Sequence, residues 1–149
     1  MDEKTEFAWD DSYLLGHHAM DTVHREFVDL LQAALTAPNA ELPHALADIA
    51  RHAEGHFAQE NEWMVSQEFP GGDCHIDEHN KVLASIYDVQ EKVIQGDIAI
   101  GRKLAQALSE WFPDHASFMD SALAAWLVRR TYGGSPIVLR RATQRSKVC

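Results

Sequence analysis

Apolar residues recur at steps of three and four positions along four segments of the chain, the spacing that places them on one face of an α-helix. The segments are rich in Ala, Leu, Glu, Gln and Met, and they span residues 19–36, 43–68, 75–95 and 98–130. Helix-breaking residues stand between them, at Pro38, at Pro70–Asp73 and at Gly96. Four amphipathic helices joined by short loops predict an all-α fold, an antiparallel up-down-up-down four-helix bundle.

Two flanking stretches lack this pattern. Residues 7–16, which include Phe7, Trp9 and Leu15, predict an ordered, apolar N-terminal arm that covers one end of the bundle. Residues 131–149 form a basic C-terminal tail. We therefore expect a four-helix bundle domain at residues 1–130 and a separate tail at residues 131–149.

Charge is distributed unevenly along the chain. The net charge is −10, yet all 23 acidic residues lie in positions 1–120, whereas positions 121–149 hold six basic residues and no acidic one. An acidic body is not expected to bind nucleic acid. The basic tail would contact an acidic partner or anionic lipid, or it would fold back on the acidic body, and the last arrangement is the usual one for charged tails.

The composition is that of an ordinary globular domain, with 46% apolar and 24% charged residues in a chain of 149. No run reaches the roughly 18 apolar residues that a membrane span needs, and the first residues lack the pattern of a secretory signal. A soluble, cytoplasmic protein is expected. The two cysteines, Cys74 and Cys149, are too few for a disulfide framework, and we expect both to be reduced.

Histidine and carboxylate side chains interrupt the apolar face of every predicted helix. The seven candidates for a metal site are His24, His56, Glu60, His75, His79, His115 and Asp120. Residues four apart on a helix differ by about 40° of rotation, so two of the helices each present a chelating pair. His115 and Asp120 are five apart, about 140° around an α-helix, and would approach a shared site from two sides. A carboxylate in that position is suited to bridging two ions.

Three interpretations of this set differ in how much of it they explain. Core histidines paired with carboxylates would explain one pair, but seven such groups without metal would carry desolvation costs of several kcal/mol. Structural zinc takes four ligands, whereas seven ligands with two potential bridges fit two six-coordinate ions, and iron fits best. His75–His79 also matches the H-x-x-E-H zinc-peptidase pattern. That interpretation leaves the histidines of the other three helices unexplained.

Four short motifs resemble those of a known family, the hemerythrins, in their bacterial branch. They are Asp21-Thr22-Val23-His24, His56-Phe57-Ala58-Gln59-Glu60 followed by Met64, His75-Ile76-Asp77-Glu78-His79, and Trp111-Phe112-Pro113-Asp114-His115 through Asp120. The resemblance covers about residues 7–127. It implies that His75, His79 and His115 hold one iron. It also implies that His24 and His56 hold a second iron with an open position for dioxygen, and that Glu60 and Asp120 bridge both ions beside an oxo or hydroxo group.

The same resemblance implies an oxygen pocket within the apolar core. Its walls would be Phe27, Phe57, Met64, Trp111, Phe112, Ala116 and Leu123. Two residues depart from the family pattern. Ala116 stands where a larger aliphatic residue is common, which predicts faster autoxidation or access for small anions such as azide. Pro113 removes a backbone donor and is expected to kink the fourth helix near His115, unless the helix begins again there.

The function that follows is reversible dioxygen binding at a non-haem di-iron centre, for oxygen delivery, storage or sensing, without enzymatic turnover. Two alternatives stay open: a di-iron peroxidase or oxidase, and a redox- or oxygen-sensing interaction module whose basic tail contacts a protein partner. Four further histidines, His17, His18, His44 and His52, are expected not to be ligands. Of these, His17 is expected nearest the site, and His44 and His52 are expected at the surface.

Overall fold

A computed structural model describes residues 7–132 of the chain. Its α-helices are α1 (His18–Thr36), α2 (Leu42–Ser66), α3 (Gly72–Ile94), α4 (Ile98–His115) and α5 (Ser121–Tyr132). A short 3₁₀ turn at Asp11–Tyr13 precedes them, and a π-helical segment at Ala116–Asp120 joins α4 to α5 in one continuous rod. The described part of the chain therefore forms four helical rods and no strand, as predicted.

The rods pack in a ring. Helix α2 lies against α1 and α3, and α4 lies against α3 and α1. The loops between consecutive rods are short, so each rod runs antiparallel to the one before it. The prediction of an antiparallel four-helix bundle is confirmed. No helix within residues 7–132 is long and apolar enough to cross a membrane.

Local capping determines where several helices begin. The His17 imidazole accepts a hydrogen bond from the Met20 backbone N–H at the start of α1, and the Asp97 carboxylate accepts one from Ile100 N–H at the start of α4. Gly71, which precedes α3, has φ of +83°, a backbone conformation that side chains disfavour. Helix ends predicted from breakers and polar residues thus lie close to those in the structure.

One glycine allows α3 and α4 to approach closely. A Cβ atom on Gly101 of α4 would lie 2.8 Å from Cγ2 of Val93 and 3.1 Å from side-chain carbons of both Leu42 and Leu46. These neighbours belong to the main buried cluster, which also includes Phe27, Leu31, Phe57, Ile86 and Phe112. The core therefore extends from the metal-ligand candidates to the loop end where α2 begins.

The N-terminal arm packs against the bundle through aromatic rings. Trp9 meets Tyr13 edge-on at 5.5 Å between ring centroids, and Tyr13 meets Phe112 of α4 edge-on at 5.7 Å. The Asp21 carboxylate accepts hydrogen bonds from the backbone N–H groups of Leu15 and Gly16 at 2.8 and 3.2 Å. These contacts hold the described part of the arm against α1 and α4.

Three further expectations concern Pro113, the cysteines and the tail. Pro113 lies inside α4, and the disturbance expected near His115 takes the form of the π-helical turn that follows. Cys74 takes part in a disulfide, so the expectation that it is reduced was wrong: two cysteines exclude a framework of several bridges but not a single one. Cys149 lies outside the described residues, as does most of the predicted tail. Since α5 continues to Tyr132, the domain division at residue 130 stays a prediction.

Candidate metal centre

All four rods contribute to one buried polar cluster. Helix α1 provides His24, α2 provides His56 and Glu60, α3 provides His75 and His79, and the junction of α4 with the π-helical segment provides His115 and Asp120. Each of these side chains is buried, with the whole residue no more than 6% exposed. The structure therefore brings together all seven residues selected from the sequence.

The Glu60 carboxylate stands between two groups of histidines. Its Oε2 lies 2.7 Å from Nε2 of His56 and 3.5 Å from Nε2 of His24. Its Oε1 lies 3.2 Å from Nε2 of His79 and 3.6 Å from Nε2 of His75. One oxygen thus faces α1 and α2, and the other faces α3. This is the arrangement that a bridging carboxylate requires.

Asp120 repeats this arrangement from the opposite side. Its Oδ2 lies 3.0 Å from Nε2 of His24, whereas its Oδ1 lies 2.9 Å from Nε2 of His75 and 3.1 Å from Nε2 of His115. The expectation that His115 and Asp120 stand about 140° apart was wrong. In the π-helical segment the Ser121 N–H bonds to the Ala116 carbonyl, five residues earlier, so residues five apart come onto one face.

Donor atoms converge into two sets that share both carboxylates. One set is Glu60, His75, His79, His115 and Asp120; the other is His24, His56, Glu60 and Asp120. Two ligands about 2.1 Å from one ion, at right angles to each other, would lie about 3 Å apart. The Nε2–oxygen distances above fall close to that value, and Nε2 of His115 lies 3.3 Å from Nε2 of both His75 and His79. The cluster fits two cations.

Several polar atoms in this cluster have no hydrogen-bond partner among the described residues. They include Nε2 of His24, Oε1 of Glu60 and both carboxylate oxygens of Asp120. Buried polar atoms without partners are costly, unless an ion or water satisfies them. One donor set has five residues and the other has four, with two carboxylates in common. Such sets of nitrogen and carboxylate donors suit two ions of higher coordination number better than one tetrahedral zinc.

Without metal, protons balance the buried carboxylates. Burial lowers the pKa of the His24 imidazole, but the Asp120 and Glu60 carboxylates outweigh it and raise its pKa to about 9. Burial likewise lowers the pKa of His115, whereas Asp120, Glu78 and Glu60 together raise it to about 10. Burial raises the Asp120 pKa, but its histidine neighbours hold it well below its ordinary value. The carboxylates thus stay ionised and attract cations.

Two residues outside the predicted set orient the histidine rings. The Nδ1–H of His79 donates to Oδ1 of Asn61 at 2.8 Å, and the Nδ1–H of His115 donates to Oε2 of Glu78 at 2.6 Å. Such bonds fix the tautomer and leave the Nε2 lone pair free for a metal. In the sequence, Asn61 stands next to Glu60 and Glu78 stands next to His79, and this adjacency was the only signal for a supporting role. It does not show which histidine each residue contacts, because the contacted histidines lie on other helices.

This placement also decides against the zinc-peptidase interpretation of His75–His79. In that pattern, Glu78 would act as a base at the metal. Its carboxylate instead contacts Nδ1 of His115, the ring nitrogen on the far side from the cluster. Glu78 therefore supports a ligand candidate and does not face the metal position.

Residues predicted to line an oxygen pocket divide between the two halves of the cluster. Phe112 meets His24 edge-on at 5.3 Å, and Phe27 lies 6.0 Å from His56. Phe57 stacks on the His79 ring at 4.1 Å and Trp111 on the His115 ring at 4.3 Å. Thus Phe27 and Phe112 lie beside the two-histidine half and Trp111 packs against the three-histidine half, whereas Phe57, whose ring also lies 5.2 Å from that of His56, contacts both.

The other predicted pocket residues are also in the core. Ala116 is buried within the main apolar cluster, next to His115 in sequence. Met64 and Leu123 belong to a second buried cluster together with Met20 and Leu15. Trp111 alone among the seven is only partly buried. The seven residues are therefore core or partly buried residues of the bundle, and their role in holding dioxygen stays a prediction.

None of the remaining four histidines belongs to either donor set within residues 7–132. His18 and His44 are exposed, and His17 caps α1 and meets Trp63 edge-on at 5.1 Å. The expected surface position of His52 was wrong. Its ring is largely buried, stacks on Phe27 at 5.8 Å, and has its pKa lowered by burial to about 4, so the ring is neutral at physiological pH.

Comparison with known proteins gives a consistent result. Residues 15–127 match the family model of the hemerythrin HHE cation binding domain. A bacteriohemerythrin of Ralstonia nicotianae is 40% identical over 122 residues, which cover 82% of this chain and 89% of that protein. A myohemerythrin of Riftia pachyptila and a hemerythrin of Sipunculus nudus are each 25% identical over 114 residues, which cover 76% of this chain and 88% and 87% of those proteins. The chain belongs to the hemerythrin family.

Proposed function

We propose that this protein binds dioxygen reversibly at a non-haem di-iron centre. His75, His79 and His115 would hold one iron, His24 and His56 would hold the other, and Glu60 and Asp120 would be ligands shared by both. The observation that carries the proposal is the pair of donor sets that share Glu60 and Asp120 while differing by one histidine.

That difference of one histidine creates the binding position. The iron beside His24 and His56 would have one protein ligand fewer than the iron beside His75, His79 and His115, which would leave a position there for dioxygen. Dioxygen would therefore bind beside His24 and His56. The reduced di-iron group supplies, when bound, the two electrons that dioxygen accepts.

The surrounding residues suit reversible binding. Five of the seven ligands are imidazoles, which are neutral when they ligate and donate less negative charge than carboxylates, so higher-valent iron is stabilised less than in carboxylate-rich di-iron oxidases. Phe112 packs against the His24 ring and Phe27 against the His56 ring, which makes that side of the two-histidine half apolar. Asn61 and Glu78 hold the rings of His79 and His115 in a single tautomer. These features favour binding over oxygen activation.

Metal analysis with an optical spectrum in air tests the proposal. We expect two irons per chain and an oxo-to-iron charge-transfer band after exposure of the diferrous protein to dioxygen. Purging with inert gas should restore the colourless diferrous state. Irreversible loss of Fe(II) on the first exposure would contradict reversible binding and favour the oxidase alternative.

A di-iron peroxidase or oxidase is the second candidate, because a groove between α1 and α2 gives small molecules a route towards His56 and Glu60. Measurable turnover with a reducing substrate would support it. We also propose that the protein serves oxygen delivery, storage or sensing and that it is cytoplasmic. A further proposal is that the basic tail binds a protein partner. Loss of a partner on deletion of residues 131–149, with dioxygen binding intact, would support the interaction role.

A further inference from the structure

The last helix ends beside the α2–α3 turn, residues 67–71. The Nε1–H of Trp126 in α5 donates to the Gln67 carbonyl at 3.1 Å, and the Nε–H of Arg130 donates to Oε1 of Gln67 at 3.0 Å. Phe69 meets Trp126 edge-on at 5.9 Å. Because α5 continues past Arg130 only as far as Tyr132, the chain leaves the bundle beside the α2–α3 turn.

Cys74 lies just beyond this turn, near the start of α3, and takes part in a disulfide. The sequence holds two cysteines, and the other is Cys149, so a bond within the chain joins these two. Residues 133–149 would span about 23 Å as a flexible chain and at most about 60 Å when extended. A chain that leaves the bundle beside the α2–α3 turn can therefore return to Cys74.

Charge is opposite on the two sides of this bond. Residues 52–80 include seven acidic residues and neither Lys nor Arg. Of these acidic residues, Glu68 in the α2–α3 turn and Asp73 at the start of α3 are exposed. Residues 133–149 include four basic residues and no acidic one. Charges interact over about 10 Å at 0.1 M salt, so the basic segment is attracted to this end of the bundle.

An apolar pocket of about 310 Å³ opens at the same place. Its apolar side chains are Met64, Val65, Phe69 and Ile76. Val65 is 70% exposed, and contiguous exposed apolar surface often marks a site of contact. Residues 133–149 contain one apolar run, Ile137-Val138-Leu139, which can pack on such a surface.

We infer that residues 133–149 dock on the α2–α3 turn as a strap and that a disulfide between Cys74 and Cys149 closes it. Closing joins the two Sγ atoms and releases two protons and two electrons, which reduce one low-molecular-weight disulfide to two thiols. Cytoplasmic thiols keep cysteines reduced, and disulfides there are usually transient. In the proposed cytoplasmic location, oxidation therefore closes the strap and reduction opens it. The strap lies outside the metal centre and does not depend on its iron.

Peptide mapping tests the bond. The full-length, iron-loaded protein is oxidised with glutathione disulfide under inert gas, alkylated and digested with trypsin. Since neither Lys nor Arg lies between Arg51 and Lys81, the expected product is residues 52–81 linked to Val148-Cys149, obtained from the monomer. A linked product found only in covalent dimers would overturn the inference. Cysteines that are alkylated, or that carry glutathione, would overturn it as well.

The equilibrium with glutathione tests whether the strap docks. At half closure, the squared concentration of glutathione divided by that of its disulfide gives the effective concentration of the two cysteines, which is millimolar for a flexible linker. Docking should raise this value about tenfold or more. A salt concentration of about 1 M should lower it at least threefold, because the Debye length falls to about 3 Å. A millimolar value that salt leaves unchanged would show a tether without docking and would overturn the docked strap.

Two matched variants locate the docking surface. Val65→Arg places a positive charge in the pocket, where it repels the basic strap, and should lower the effective concentration about threefold or more. Ile94→Arg makes the same change at the far end of α3, where Ile94 is 81% exposed, and should match the wild type. Both positions are exposed, so iron content and folding should be the same in the two variants. Equal effective concentrations in the two variants would overturn the placement of the strap.

Discussion

The residues of this centre fall into two groups: those whose donor atoms face the metal positions, and those that hydrogen-bond to these donors' side chains from behind. Glu60 and Asp120 each place one oxygen towards each metal position, and the five histidines offer Nε2 to the same positions. Behind them, Glu78 and Asn61 hold two of the rings through Nδ1. Such supporting bonds raise ligand basicity and limit ring rotation, so a change in them alters metal affinity without removing a ligand.

Glu78→Gln tests the supporting hydrogen bond from His115 to Glu78. The amide does not carry the charge that strengthens the bond from His115 Nδ1–H, so iron affinity should fall by about 10- to 100-fold. Competition with a chelator of known affinity measures the change. Asp77→Asn is the control, because Asp77 is the neighbouring residue and its carboxylate pairs with the exposed Lys81 at 2.9 Å. Equal affinities in the two variants would show that Glu78 does not support His115.

At the level of elements, the π-helical segment Ala116–Asp120 shapes the metal site, and Gly101 determines how closely α3 and α4 pack at the other end of the core. The π-helical turn brings Asp120 onto the face of His115, and without it these residues would stand about 140° apart. Gly101 lets α4 lie close to Val93 of α3. Both features depend on helix geometry over several residues.

Two glycine substitutions should have opposite effects on stability. Gly101→Ala places a Cβ 2.8 Å from Cγ2 of Val93, and this overpacking should lower the free energy of unfolding by about 1–3 kcal/mol. Gly55→Ala adds a methyl group in open space and should raise it by about 0.5–1 kcal/mol, the usual gain of alanine within a helix. Chemical denaturation of the iron-loaded proteins measures both. Stabilisation by Gly101→Ala would contradict the packing argument.

On the scale of the whole molecule, the metal centre links all four rods, since each rod provides at least one member of the buried cluster. Ions that bind the folded state and not the unfolded chain stabilise the fold by mass action. Removal of iron should therefore lower the midpoint of thermal unfolding. Removal of iron also leaves the negative charges of the buried Glu60 and Asp120 carboxylates to be balanced by protonated histidines.

The metal-free protein should lose stability as the pH rises from 7 to 10. The pKa values of His24 and His115 are about 9 and about 10 in the folded protein, against an ordinary value of 6.5. Their stabilising contribution is complete below pH 6.5 and is lost as the pH rises through 9 and 10, at about 1.4 kcal/mol for each unit of pKa difference. Thermal unfolding in matched buffers provides the measurement.

The iron-loaded protein is the control for this pH series. Iron replaces the protons on these imidazoles, so its unfolding midpoint should change much less between pH 7 and 10. A metal-free protein whose midpoint is constant over the same range would contradict the proton-balanced cluster.

Much of this protein could be predicted from local spacing. Apolar residues three and four apart define the helices, and His56 with Glu60, or His75 with His79, lie on one face because a helix turn brings residues four apart together. The helix ends agree because Pro, Gly and capping residues act within one turn. These interactions span only a few residues, and so periodicity alone determined the bundle and its ligand candidates.

Tertiary structure decided what depends on contacts between helices. The bond from His115 to Glu78 joins residues 37 positions apart, and that from His79 to Asn61 joins residues 18 apart. The burial of His52, the disulfide at Cys74 and the groove beside Gly55 likewise depend on neighbouring segments. Spacing along one helix specifies a direction, whereas the distance to another helix depends on how all side chains between them pack.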